Sequence, residues 1–122
     1  MPQLAWLAQY PLLPYYVALG AAIAGGIGGQ LLLKAGSVGA EDTLAQFMRA
    51  PTLIGLVFYA VSAVLYVIAL RRIPVSLAFP SVSISYAVIA VFGYLLWSEP
   101  MGWPQVAGIA LICTGVILLY QI

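Results

Sequence analysis

The chain has 122 residues, of which 65% are hydrophobic and 6% charged, with a formal net charge of +1 and no histidine. Soluble domains carry about a quarter of their residues as charged side chains, so water is not the main solvent here. Without a basic run longer than Arg71-Arg72 there is no electrostatic footprint for nucleic acid. A lone Cys113 excludes an internal disulfide or a cysteine metal site, and neither a metal nor a cofactor is expected.

The seven formally charged residues, Lys34, Glu41, Asp42, Arg49, Arg71, Arg72 and Glu99, all lie outside or at the rim of four long apolar stretches. The first fourteen residues carry Trp6, Tyr10, Pro11 and Pro14 but no cation and no small-residue cleavage site. They read as a short interfacial segment and not as a removable signal peptide. A helix needs about 20 mostly apolar residues to cross the hydrocarbon. Four segments meet that length, at about 15–33, 52–70, 77–97 and 103–121. The expected fold is therefore an all-α membrane protein, one domain of four transmembrane helices with short loops.

Between the first two spans, Asp42 is placed to cap a short helix over 42–50 whose Leu44, Phe47 and Met48 share one face. Such a helix would lie on the membrane surface, with Pro51 separating it from the second span. Lys34 and Arg49 fall at one membrane face and Arg71 and Arg72 at the other, so the rule that basic residues favour the cytoplasm leaves the orientation undecided.

Helices approach closely in lipid through small residues. The first span carries the pairs Gly25/Gly29, Ala22/Gly26 and Ala24/Gly28, which suit either a packing seam or the smooth wall of a groove. The fourth places Gly108 and Gly115 seven apart on one face, a stripe suited to dimer contact.

Polar residues inside spans usually face protein or water. Gln30 and Lys34 share a face near the end of the first span. Tyr59, Ser62 and Tyr66 line one side of the second, and Ser81, Ser85 and Tyr86 one side of the third, with Ser83 offset. Turned inward, these stripes would build a pocket that is polar at one end and greasy at the other. Each serine has the alternative of bonding its own helix backbone. Lys34 either snorkels to the interface or meets an anionic headgroup beside Gln30, and Arg49, Arg71 and Arg72 are placed to contact lipid phosphate. Pro80 should loosen the third helix and is a candidate hinge. Glu99, in Trp97-Ser98-Glu99-Pro100, is either a solvated loop carboxylate or part of the binding site. No nucleophile and base pair, metal cluster or phosphate loop points to an enzyme.

Several of these elements resemble the small four-span branch of the drug/metabolite transporter superfamily: Gly29-Gln30-Leu31 through Lys34, Ile73-Pro74-Val75, Ala78-Phe79-Pro80, Ser83, Leu96-Trp97-Ser98-Glu99-Pro100, and the run from Gly108 to Val116. Small multidrug resistance exporters in that branch carry a first-helix glutamate where Gly26 stands here, and their third-helix kink motif is replaced around Ile84, Ser85 and Tyr86. Both departures weigh against proton-coupled export of cationic or amphiphilic compounds, which stays as an alternative, as does a scaffold for a membrane glycosyltransferase. The Ile-Pro-Val, Ala-aromatic-Pro, Ser and Trp-x-Glu-Pro elements, in that order, are more similar to the EamA-like paired subunits that flip aminoarabinose-phosphoundecaprenol. That resemblance implies a flippase subunit for a polyprenyl-phosphate-linked sugar in the bacterial inner membrane. It would act by alternating access, as a homodimer or as a heterodimer with a related short membrane protein.

Overall fold

A computed structural model describes residues 12–121. Six helices follow in order: α1 (Leu13–Ser37), α2 (Thr43–Met48), α3 (Ala50–Ala69), α4 (Val75–Val82), α5 (Ile84–Trp97) and α6 (Trp103–Leu119). No strand occurs among the described residues. The first eleven residues of the expected interfacial segment lie outside them.

Three stretches among the described residues are long and apolar enough to cross a membrane: Leu13–Ser37, Ala50–Ala69 and Val75–Trp97, the last being α4 and α5 together. α6 is apolar but has 17 residues, about 26 Å at the α-helical rise. α1 outruns the expected stretch by four residues at its end. Its last carbonyls are satisfied there: the Lys34 carbonyl accepts from the Val38 N–H and the Ser37 hydroxyl, and the Arg49 guanidinium donates to the carbonyls of Gly36 and Val38. A cation at a helix C-terminus is also favoured by the helix dipole.

α2 is a short helix capped at its start by the Asp42 carboxylate, which accepts from the Ala45 N–H at 2.7 Å. Leu44, Phe47 and Met48 are all exposed, an apolar face without a protein partner among the described residues. The break that ends α2 falls at Arg49, not at Pro51, which sits in the first turn of α3, where its missing N–H leaves no bond unmade.

The third apolar stretch is not one continuous helix. Pro80 has no N–H to offer the preceding turn, and the chain breaks three residues later at Ser83, whose N–H closes a tight turn onto the Pro80 carbonyl at 2.9 Å. α5 then ends at Ser98, a non-glycine residue in the left-handed region (φ 54°).

α1 and α3 pack antiparallel as the backbone of the bundle. Gly25, Gly29 and Gly36 are the points of closest approach: side chains there would run into Ser62, the Tyr59 ring and Gly55 carbonyl, and Thr52 respectively. The Gly25/Gly29 pair is thus a seam between helices. Near the start of α1, Ala18 and Leu19 bury against Ala69, Ile73 and Ala78. These contacts set the polarity of the bundle. Lys34, Arg49 and the α5–α6 turn lie at one end, and Arg71, Arg72 and Tyr120 at the other. Most large apolar side chains, from Leu53 and Val57 on α3 to Leu111 and Leu118 on α6, point outward, as a lipid solvent allows.

Candidate functional site

A cavity of about 320 Å³ opens between α1, α3, α4 and α5. α1 supplies Ala22, Gly26 and Gln30, α3 supplies Tyr59, Ser62 and Tyr66, and the broken third stretch supplies Phe79, Ser85 and Tyr86. Of the other two pairs of small residues, Ala22/Gly26 is a smooth wall of the cavity, on the face of α1 adjoining the Gly25/Gly29 seam. Gly26, with nothing within 4 Å of where a Cβ would stand, gives the cavity its depth.

The cavity contains polar atoms and no charged side chain among the described residues. Gln30 faces the Tyr59 side chain, to which it hydrogen-bonds. The Ser85 hydroxyl donates to the Val82 carbonyl at 2.6 Å, leaving its oxygen able only to accept. Ser62 Oγ and Tyr66 Oη are buried without a hydrogen-bond partner among the described residues. In an apolar setting an unpaired hydroxyl costs roughly 1–3 kcal/mol, so a pair of them beside an open cavity marks a place where a polar ligand or water belongs. Aromatic rings from Tyr59, Tyr66, Phe79 and Tyr86 supply flat apolar faces beside these groups. Phe79 and Tyr86 are 64% and 57% exposed, so one wall of the cavity is open.

Other residues of the expected binding set fall elsewhere. Ser81 lies across the α4 backbone from the cavity, in a groove of about 430 Å³ beside Tyr16, Gly20 and Ile84, where its hydroxyl donates to Leu77 and shares a 2.6 Å hydrogen bond with Tyr120. Ser83 bonds the Pro80 carbonyl. Lys34 is not in the cavity with Gln30, one turn earlier. Its ammonium pairs with the Glu99 carboxylate at 2.9 Å, each side chain being nearly half exposed. Arg71 and Arg72 lie at the opposite end of the bundle. Gly108 and Gly115 have nothing within 4 Å of an added Cβ, on a helix in which Val116 is the buried residue.

The model of the EamA-like transporter family matches residues 12–121. The chain belongs to the EamA-like transporter family. It is 42% identical over 67 residues to a probable 4-amino-4-deoxy-L-arabinose-phosphoundecaprenol flippase subunit ArnF of Shewanella sediminis, covering 53% of this chain and 46% of that protein. With the probable ArnF subunit of Erwinia tasmaniensis it shares 34% over 105 residues, covering 74% and 81%. With the probable ArnE subunit of the same flippase in Escherichia fergusonii it shares 30% over 66 residues, covering 54% and 60%. The chain thus spans about half the length of several curated relatives it matches and four fifths of the Erwinia protein. No solved structure matches it.

As a member of the EamA-like transporter family with several helices long and apolar enough to cross a membrane, the chain is a multi-pass membrane protein and not an enzyme. The Lys34–Glu99 pair and the place of Phe79 in the cavity are not legible in the chain of residues alone. Phe79 precedes Pro80 in the Ala-Phe-Pro element, and it lines the same cavity as Tyr86 although the two lie on either side of the break at Ser83. The ion pair had no local signal, since 65 positions separate its partners.

Proposed function

We propose that this chain is a four-span subunit of a flippase that carries a polyprenyl-phosphate-linked sugar across the bacterial inner membrane. The cavity carries this reading: a pocket of headgroup size, free of charged side chains, with aromatic faces, an amide and two unpartnered hydroxyls. Sugars are bound by such groups, through hydrogen bonds to their hydroxyls and apolar contact with their ring faces. A cavity of about 320 Å³ holds a headgroup and leaves the long isoprenoid tail in the bilayer.

The names of the relatives supply the substrate class, an amino sugar on undecaprenyl phosphate. In this reading α6 is the fourth span and α2 rests on the membrane surface. A second copy or a related short chain closes the wall left open at Phe79 and Tyr86, with Gly108 and Gly115 facing the partner. Lys34 at one end, and Arg71 and Arg72 at the other, offer the phosphate a cation at each membrane face. Bending at the break after Pro80 exposes the cavity to each side in turn.

The test is reconstitution of the chain, alone and with a related short subunit, into vesicles holding a labelled polyprenyl-phosphate amino sugar in one leaflet. Movement of label to the other leaflet that falls in Tyr59→Ala and Tyr66→Phe is the expected result. Absence of movement in both preparations would remove the flippase reading, and proton-dependent efflux of lipophilic cations would replace it with an exporter.

A further inference from the structure

The Lys34–Glu99 contact is built by three features of the fold. Ser98 adopts a left-handed conformation that L side chains rarely take, which reverses the chain at the end of α5. The Glu99 N–H then reaches back to the Gly93 carbonyl at 3.2 Å. Its carboxylate lies over Gly93 so closely that a Cβ there would stand 2.4 Å from Oε2. Gly93 is buried under this cover. The outcome is a carboxylate held across the bundle on the ammonium of Lys34 at 2.9 Å.

Of the two cations at this end, Arg49 is committed to backbone carbonyls that terminate α1. Lys34 is held by a carboxylate, a partner that another anion can replace.

We propose that Lys34 is the anion site of this transporter and that Glu99 is its resident counter-ion, displaced by the phosphate group of the substrate. The inference rests on the flippase reading above and specifies how the phosphate is taken up. An ammonium at the edge of the hydrocarbon is costly when unpaired. The carboxylate keeps it neutralised while no substrate is bound, and a phosphate that arrives takes the same position while Glu99, on its turn, swings into water. Exposure of nearly half of each side chain makes the exchange accessible, and an exposed pair is weak enough to be exchanged.

The inference requires the two partners to act on binding with opposite signs. Wild type, Glu99→Gln, Lys34→Gln and Lys34→Arg are purified in detergent and titrated with undecaprenyl phosphate, with the neutral lipid undecaprenol and with inorganic phosphate. Fluorescence of Trp97 and Trp103, which flank the turn, reports binding, and thermal melting reports folding. Glu99→Gln should tighten undecaprenyl phosphate binding about two- to fivefold, the range set by the strength of an exposed ion pair. Lys34→Gln should weaken it by a similar factor or more, Lys34→Arg should retain it, and undecaprenol should respond to none of the changes. A matching pattern with inorganic phosphate would place recognition in the phosphate alone, and its restriction to the lipid would add the tail as a requirement; both uphold the exchange. If both Gln variants weaken binding, or neither alters it, the pair is a structural tie and the inference falls. Wild-type lipid movement in vesicles is scored separately. Movement together with same-sign variants sinks the exchange and keeps the flippase, whereas opposite signs without movement keep the anion site and sink the flippase.

Discussion

Thr52 occupies the space that a side chain on Gly36 would fill: an added Cβ would stand 2.0 Å from its hydroxyl oxygen and 2.9 Å from its backbone nitrogen. This contact locks the end of α1 against the start of α3, and backbone cannot yield as a flexible side chain can. Gly36→Ala should destabilise the protein by about 2 kcal/mol, the scale of overpacking in a tight contact. Gly20→Ala, where nothing lies within 4 Å, should leave stability within about 0.5 kcal/mol of wild type. Thermal melting in detergent compares the two.

Ser98 holds Glu99 in place at the expense of a left-handed backbone. Ser98→Gly removes the Cβ clash and should raise stability by about 1 kcal/mol, while Ser98→Val should lower it. The same melts would refute the strain if glycine and valine behaved alike.

Ser81 and Tyr120 share a 2.6 Å hydrogen bond that ties α4 to the end of α6, a helix that packs lightly on the rest of the chain. A double-mutant cycle with Ser81→Ala and Tyr120→Phe should return a coupling of about 0.6 kcal/mol, the average that such cycles give for hydrogen bonds in a helical membrane protein. Additive effects would show that the contact contributes nothing.

The buried hydroxyls of Ser62 and Tyr66 have no partner among the described residues, and the flippase reading gives them to binding more than to folding. Ser62→Ala and Tyr66→Phe should leave stability unchanged or raise it by up to about 1 kcal/mol, yet lower the rate of lipid movement in vesicles. A parallel loss of stability and transport would assign both groups to the fold.

Much of the architecture is legible in the chain itself, for a physical reason that holds residue by residue. In a hydrocarbon solvent a run of apolar residues must be helical, a charge must sit at an edge, and Asp42 before Thr43 can cap whatever its neighbours do. The all-helical class, the apolar stretches and the short helix after Asp42 follow from such local terms. Gln30, Tyr59, Tyr66, Ser85 and Tyr86 meet in one cavity because spacing along a regular helix assigns each to a face.

Ser81, Ser83 and Lys34 depart from that logic at identifiable places. Ser81 and Ser85 lie on either side of the break at Ser83 and line different cavities, so one stripe in the sequence becomes two surfaces in space. Gly25 and Gly26 are adjacent, yet one is seam and the other cavity wall, because a helix turns about 100° between them and only the position of α3 says which face is covered. Asp42 and the apolar runs were determined by sequence alone, since solvation and capping act over a few neighbouring residues. The Gly36–Thr52 crossing, the reach of Glu99 to Lys34 and the assembly of the cavity were decided by the tertiary structure, because each depends on how one helix is rotated and placed against another.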